Sequence, residues 1–490
     1  MTLRDSQVAD HGELGQRTSR ALIWSFANTA LARLGTVGIG IALARLLGPE
    51  EFGTFAIATV ALLAVLSFNE FGVSLAIVRW SGDPQLLAPT VATLSTVTSC
   101  LLYVGTFFAA PVFAGAMGDP DSTGVIRLMC LCIVVNGIVA APAALMQRAF
   151  AQRERFVIDQ VNIWVGAVVS IGLAIIGCGA MSLAIGRVTG TVLSGLMFIR
   201  WAPGGLRFGW DAHLLPSLLR FGLPLAGASA IVFAAGNADQ LVVGTMLGPT
   251  ELGFYVLAFN LASWPVALFS APLRSVAPAT LSRLQHIPEA MNDAFTDLTR
   301  VLAALSIPVC FLLAGAAEPI VALAYGSEWA PAADALRWLA LLAALRIMFE
   351  LAYDYLVVVR RTGSILVIQS SWLVVSVPAL LIGATQWGIG GVAGTQVVVA
   401  AVVALPLYVG VLGRSGVDIK MVGRAMLLPV LIGVAVGTVS LWVSSGVQMA
   451  FVACLVAGAL ACLGVALASY RQRDVVARLR NLRADEVGAS

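Results

Sequence analysis

Residues Leu43–Phe55 read LARLLGPEEFGTF, and two hundred residues later Val243–Tyr255 read VGTMLGPTELGFY. Both copies fit L-G-P-x-E-[FL]-G-x-[FY]. In each, the Gly-Pro pair ends one apolar segment and opens the next, with proline at the first helical position and an acid (Glu51, Glu251) in the first turn, where it complements the helix dipole. Gly53 and Gly253 leave room for close packing. The motif reads as a tight hairpin between paired helices, an architectural device rather than a place for chemistry.

The segments it joins are membrane spans. Of 490 residues 59% are hydrophobic and 11% charged, against roughly 45–50% and about 25% in an average soluble domain. Charged and turn-forming clusters separate fourteen apolar segments, starting near Ala21, Phe52, Leu86, Thr123, Phe156, Met181, Leu214, Leu252, Leu298, Ala332, Ser364, Ile389, Val422 and Val447. They are too long for barrel strands and lack period-two alternation, so they predict helices. The apolar run after Arg20 lacks a small-residue cleavage site and reads as a retained first span. With the N-terminus placed inside, 23 of the 29 basic residues fall on that side, while the opposite connections carry acids such as Glu50, Glu51, Asp119, Asp121, Glu251 and Glu328. The positive-inside rule therefore predicts both termini on the cytoplasmic side.

The seven cysteines lie in apolar runs with no C-x-x-C, and His11, His213 and His286 sit apart in polar connections. This spacing offers no metal site and calls for no cofactor. Asp119-Pro120-Asp121 has the form D-x-D, but between glycine and serine it reads as a solvated corner. Nothing points to nucleic acid.

The echo continues beyond the hairpins. Ala110-Pro111-Val112 is answered by Glu318-Pro319-Ile320, Ile126-Arg127-Leu128 by Leu336-Arg337-Trp338, and Val157-Ile158 by Val367-Ile368. Collinear matches at 200 to 210 residues indicate a duplication of six spans, and an even number puts both halves in the membrane the same way round. The prediction is an all-α integral membrane protein of about 14 spans. An N-terminal lobe covers residues 1–212 and a C-terminal lobe 213–415, related by a pseudo-twofold along the membrane normal, and 416–490 adds two helices and a basic tail.

The duplication also supplies a ruler for charge. Ionisable groups within spans cost ~2.5–3.5 kcal/mol each on insertion scales and are functional candidates by default. Arg33 lies twelve residues before Arg45, roughly 18 Å along a helix, and its repeat counterpart is Phe233. Arg346, Glu350 and Asp354 share one helix face, opposite Asn136, Ala140 and Ala144. Asp239 answers to Ile39. Guanidinium groups are suited to replacing the water of an anionic head group, so Arg33 and Arg346, with Arg187, are candidate substrate-binding residues. Asp239, Glu350, Asp354 and Glu70 are candidates to bind a proton or Na⁺ and bias the lobe equilibrium. Blander roles stay open: Arg346 and Glu350 neutralising one another, Asp354 at the interface, Arg187 snorkelling to head groups, Glu70 serving structure alone.

The A-R-L-L-G-P-E-E-F-G stretch, its echo after Asp239 in NADQLVVGTMLG, and the 6+6+2 layout resemble the Wzx-like polysaccharide flippases of the MOP superfamily, relatives of the MurJ and MATE transporters. The resemblance implies a multi-pass protein of the bacterial inner membrane, not an enzyme. It would carry an anionic undecaprenyl-diphosphate-linked oligosaccharide from the cytoplasmic to the periplasmic leaflet by alternating access, beside other polysaccharide-assembly membrane proteins. Alternatives are a lipid II flippase, a MATE-type H⁺ or Na⁺ drug antiporter, and a membrane-embedded glycan ligase or polymerase. The antiporter would need an acid-dominated cavity, and the ligase or polymerase a substantial external loop bearing acids or histidines.

Overall fold

The computed structural model describes residue 35, residues 38–68, 73–79, 83–149, 151–270, 277–284 and 286–446, and scattered positions between 451 and 465. The expected span starts at Ala21 and Val447 fall outside the described residues, as do Arg33 and Glu70. Among the described residues all regular structure is helical.

In chain order the helices are α1 (Gly38–Phe68), α2 (Val73–Arg79), α3 (Pro84–Ala116), α4 (Thr123–Arg148), α5 (Gln152–Ile175), α6 (Ala180–Trp201), α7 (Leu215–Leu247), α8 (Pro249–Pro265), α9 (Ala277–Arg283), α10 (Pro288–Gly315), α11 (Ala317–Tyr325), α12 (Ala332–Val358), α13 (Thr362–Val399), α14 (Leu405–Arg414) and α15 (Ile419–Gly446). Two of these are pairs of spans read through a turn. In α1 the break is Gly48, at φ +75°. In α13 it is Trp387 and Gly388, the latter at φ +60°, immediately before the expected start at Ile389.

Ten described segments are long and apolar enough to cross a bilayer. The helix α12 is not among them, because it carries Asp334, Arg337, Arg346, Glu350 and Asp354. It packs against α8, α10 and α13 and buries sixteen of its residues, so its surroundings are protein rather than lipid. That is where a span can carry charge.

The described chain divides into two compact units. One takes in residues 69–105 and 128–226 with the start of the chain, and the other takes in 48–68, 106–127 and everything from 227. In the first, α5 and α6 meet through small residues: a Cβ on Gly186 would overlap Ser170, and one on Gly190 would sit 2.7 Å from the Asn162 side-chain oxygen. The Gly186/Gly190 pair thus serves close helix packing. Arg148, in the last turn of α4, donates to the Ile77 carbonyl at 2.7 Å. The connection from α6 to α7 is tied to α3, where the Thr93 hydroxyl donates to the Gly209 carbonyl (2.8 Å) and accepts from its N–H (3.1 Å).

Candidate functional site

The doubled motif comes together in the second unit. Gly48 and Gly248 adopt φ +75° and +90°, a left-handed conformation in which glycine costs least, and Pro249 opens α8 with Glu251 in its first turn. The two hairpins then touch each other. A side chain on Gly53 would overlap the Pro249 carbonyl, and one on Gly253 would sit 2.5 Å from the Pro49 carbonyl. Since Pro249 is the repeat equivalent of Pro49, the contact is reciprocal: i meets j while the equivalent of i meets the equivalent of j. A twofold axis generates this pattern.

Trp329 sits over that contact and is 1% exposed. Its indole meets Phe52 of one hairpin edge-on (5.4 Å between centroids, 86°) and Phe254 of the other (5.9 Å, 84°), with Tyr325 at 6.1 Å. Burial pushes the Tyr325 hydroxyl up to about 12, so the cluster is neutral. Asp119 caps the 3-10 turn Pro120–Ser122 through the Ser122 N–H and accepts from Thr54 at 2.7 Å. The D-x-D is therefore a turn cap that also holds the first hairpin. Among the described residues no cluster of three or more His, Cys, Asp or Glu could hold a metal ion.

Below the second hairpin lies Asp239, 5% exposed. The Tyr255 hydroxyl donates to its Oδ2 (2.8 Å), and Gln396 Nε2 donates to the same oxygen (2.9 Å) and to the Tyr255 oxygen (3.0 Å). The Gln240 main-chain N–H donates to Oδ1 at 2.9 Å. One carboxylate thus ties α7, α8 and α13 together with three donors. A proton delivered to it would turn an acceptor into a donor. Gln396 can answer by rotating its amide to present oxygen instead of N–H. The triangle can therefore exist in two hydrogen-bonding states.

A second cluster forms on α12. Glu350 accepts from Ser270 through Oε2, and its Oε1 lies 3.6 Å from Arg346 Nε. Ser270 ends one turn of π-helix, Val266–Ser270, directly after Pro265. Such a turn admits an extra residue and re-aims the chain beyond it. Phe349 beside it stacks on Tyr408 (4.9 Å, 15°) and meets Trp372 edge-on. Exposure falls along the shared face from Arg346, 55% at the side chain, through Glu350 at 20% to Asp354, 6% exposed as a residue. Arg187 stands exposed on α6, in the first unit.

The structure thus gathers Arg346 and Glu350 into one cluster and engages Asp239 through other partners. Tyr255, Gln396 and Ser270 are additions that a search for charged residues passes over. For Tyr255 the ruler held a signal: where the first repeat has Ile39 and Phe55, the second has Asp239 and Tyr255, so carboxyl and hydroxyl enter together.

A family model described as "Polysaccharide biosynthesis protein" matches residues 42–334. Over 330 residues the chain is 28% identical to the succinoglycan biosynthesis transport protein ExoT of Rhizobium meliloti (strain 1021), covering 66% of this chain and 65% of that one. Over 387 residues it is 23% identical to the lipopolysaccharide biosynthesis protein WzxC of Escherichia coli (strain K12), covering 77% of each. In fold it is similar to the lipid II flippase MurJ in an inward closed conformation, with a TM-score of 0.75 at 13% identity over 91% of this chain and 99% of that one. An inward-facing multidrug resistance MATE transporter of the MOP superfamily is similar at 0.61 and 16%, over 81% and 99%. With these matches and its many apolar helices, the chain belongs to the polysaccharide biosynthesis protein family, as a multi-pass membrane protein of MOP-type fold.

Proposed function

We propose that this protein is a flippase of the bacterial inner membrane, a transporter that moves an undecaprenyl-diphosphate-linked oligosaccharide repeat unit from the cytoplasmic to the periplasmic leaflet for polysaccharide biosynthesis. The observation that carries the reading is the family match over residues 42–334, supported by curated relatives named for succinoglycan transport and lipopolysaccharide biosynthesis. The termini lie in the cytoplasm on this reading, and the hairpin face is periplasmic. The lobes are residues 1–212 and 213–415, with 416–490 appended.

Transport proceeds by alternating access. The reciprocal hairpin contact is one closed end of that cycle, and its opening exposes the opposite side of the path. Arg33, Arg346 and Arg187 bind the anionic head group. Asp239, Glu350, Asp354 and Glu70 couple a proton or Na⁺ to the lobe movement, and Asp239 is favoured because its hydrogen-bonded triangle has a second state ready.

Deletion and complementation test the reading. Loss of surface or secreted polysaccharide, restored by the wild-type gene and not by Arg33→Ala at equal membrane abundance, is the expected outcome. Intact polysaccharide with cell-wall lysis would sink it in favour of lipid II.

A further inference from the structure

At the end of the helices that carries the Trp387–Gly388 turn, a groove of about 720 Å³ opens between α10, α12, the second half of α13 and α15. Its size lies within the range of roughly 300–1,000 Å³ usual for small-molecule sites. It exists because side chains are missing. A Cβ on Gly394 would meet the Trp338 indole at 3.5 Å, and one on Gly390 would meet the Asp334 Cβ at 3.5 Å. These are ordinary contact distances, so a larger side chain at either position would occupy the groove. Gly315 and Gly437 act differently and bring α10 against α15, since a Cβ on Gly315 would overlap the Gly437 carbonyl.

The groove is amphipathic along its length. Asp334 and Arg337 line one end, flanked by Trp338 (44% exposed) and Trp387 (68%). The other end is lined by Val398 and Val434, both exposed on the apolar surface. Eight residues separate Gly390 from Val398, about 12 Å of helix rise. Exposed tryptophans beside charged groups mark the head-group level of a bilayer, so the polar end faces the lipid interface and the apolar end descends into the hydrocarbon.

The charges at the mouth select among head groups. Arg337 lies 3.4 Å from Glu318, and both side chains are well exposed (40% and 67%). Such a pair is worth only about 0–1 kcal/mol, so the guanidinium remains available to another anion. A phosphate oxygen at the mouth would meet the terminal N–H groups of this partly exposed guanidinium, at the edge that faces Glu318. Two carboxylates, Glu318 and Asp334, stand on the same stretch of surface, so a head group bearing only negative charge meets repulsion. One with a phosphate next to a primary ammonium complements both signs and offers three N–H donors to the acids.

We propose that this groove binds an aminophospholipid of the phosphatidylethanolamine type from the surrounding bilayer. Its phosphate rests on Arg337, its ammonium between Asp334 and Glu318, and one acyl chain lies along Gly394 toward Val398 and Val434. The proposal stands apart from the transport reading, and its tests read binding and stability.

The experiment uses the full chain in nanodiscs of phosphatidylglycerol to which phosphatidylethanolamine or phosphatidylcholine is added in equal proportion. Thermal unfolding is followed, and native mass spectrometry identifies the lipid retained. Phosphatidylethanolamine is expected to raise the unfolding midpoint by several degrees and to be the lipid retained, with choline lipid giving no rise because its quaternary ammonium has no N–H to donate. Arg337→Gln removes the phosphate partner, and Gly394→Leu fills the groove without touching a charge. Each is expected to abolish the rise while matching wild type in phosphatidylglycerol alone. If Arg337→Gln fails to fold, Gly394→Leu carries the test. Equal rises with ethanolamine and choline lipids overturn the proposal, as does an ethanolamine-specific rise that survives Gly394→Leu. The absence of any lipid effect, with Gly394→Leu lowering stability in every lipid, would assign the groove to a segment of the chain itself and also overturn it.

Discussion

A carboxylate buried in a span survives only if its surroundings answer it, and Asp239 has three donors to do so: Tyr255, Gln396 and the Gln240 N–H. Removing the Tyr255 hydroxyl leaves Oδ2 with Gln396 alone and takes away one hydrogen bond to a charged acceptor, at a cost of about 1.5–3 kcal/mol. Tyr255→Phe is therefore expected to lower the thermal midpoint of the purified protein. In an Asp239→Asn background the same substitution should cost much less, because the charge that the hydroxyl served is gone. A double-mutant cycle reads this as a coupling of about 1 kcal/mol or more. Additive losses would mean that Tyr255 contributes packing alone. On α12 a parallel expectation concerns Glu350, held by Ser270 and Arg346. Ser270→Ala should reduce transport in a complementation assay, and Ser270→Thr, which keeps a hydroxyl, should restore much of it. Equal loss in both variants would indicate that shape at the π turn matters and the hydrogen bond does not.

Among the elements, the hairpins are where sequence and structure inform each other most. The left-handed glycine, the first-turn proline and the acid were all legible in L-G-P-x-E, since each answers a local backbone requirement. That the two hairpins dock on one another was not legible, because the partner lies two hundred residues away and no local pattern records it. The same distinction separates Asp239, visible as a charge in an apolar run, from Gln396, whose partner lies on another helix and whose side chain is unremarkable in a span. The docked hairpins permit a sharp expectation. A side chain at Gly53 meets the backbone of Pro249, which cannot move aside as a flexible side chain can. Overpacking usually costs about 1–3 kcal/mol, so Gly53→Val and Gly253→Val are each expected to lower folded yield and abolish complementation. Gly105→Val, on α3 with nothing within 4 Å of its added Cβ, is the control and should behave as wild type. Loss of function in all three would point to a general intolerance of bulk in the spans.

For the whole molecule, helix class came from composition and charge alone. Among the described residues nine helix starts fall within a few residues of the apolar onsets, Phe52 and Ile389 follow the breaks inside α1 and α13, and the helix expected near Leu298 begins ten residues earlier at Pro288. What composition could not supply is which charged span sits inside. The helix α12 looks like a poor membrane crosser by hydropathy and is a buried one by packing, because hydropathy counts charges and packing satisfies them. The closed hairpin face likewise belongs to the assembled molecule, and Trp329 is its keystone, wedged between equivalent regions of two repeats. Truncating a buried tryptophan costs ~3–5 kcal/mol. If about half of that is lost when this face opens, the equilibrium shifts toward the open state by about tenfold or more, since each 1.4 kcal/mol is a factor of ten. A cysteine placed at Ala56, 2% exposed in the first hairpin's helix, in an otherwise cysteine-free chain should react slowly with a membrane-impermeant maleimide. Adding Trp329→Ala should speed that labelling about tenfold while the protein remains folded by thermal unfolding. Unchanged labelling would mean that Trp329 stabilises the fold equally in both states and that the closed face is held by the glycine contact alone.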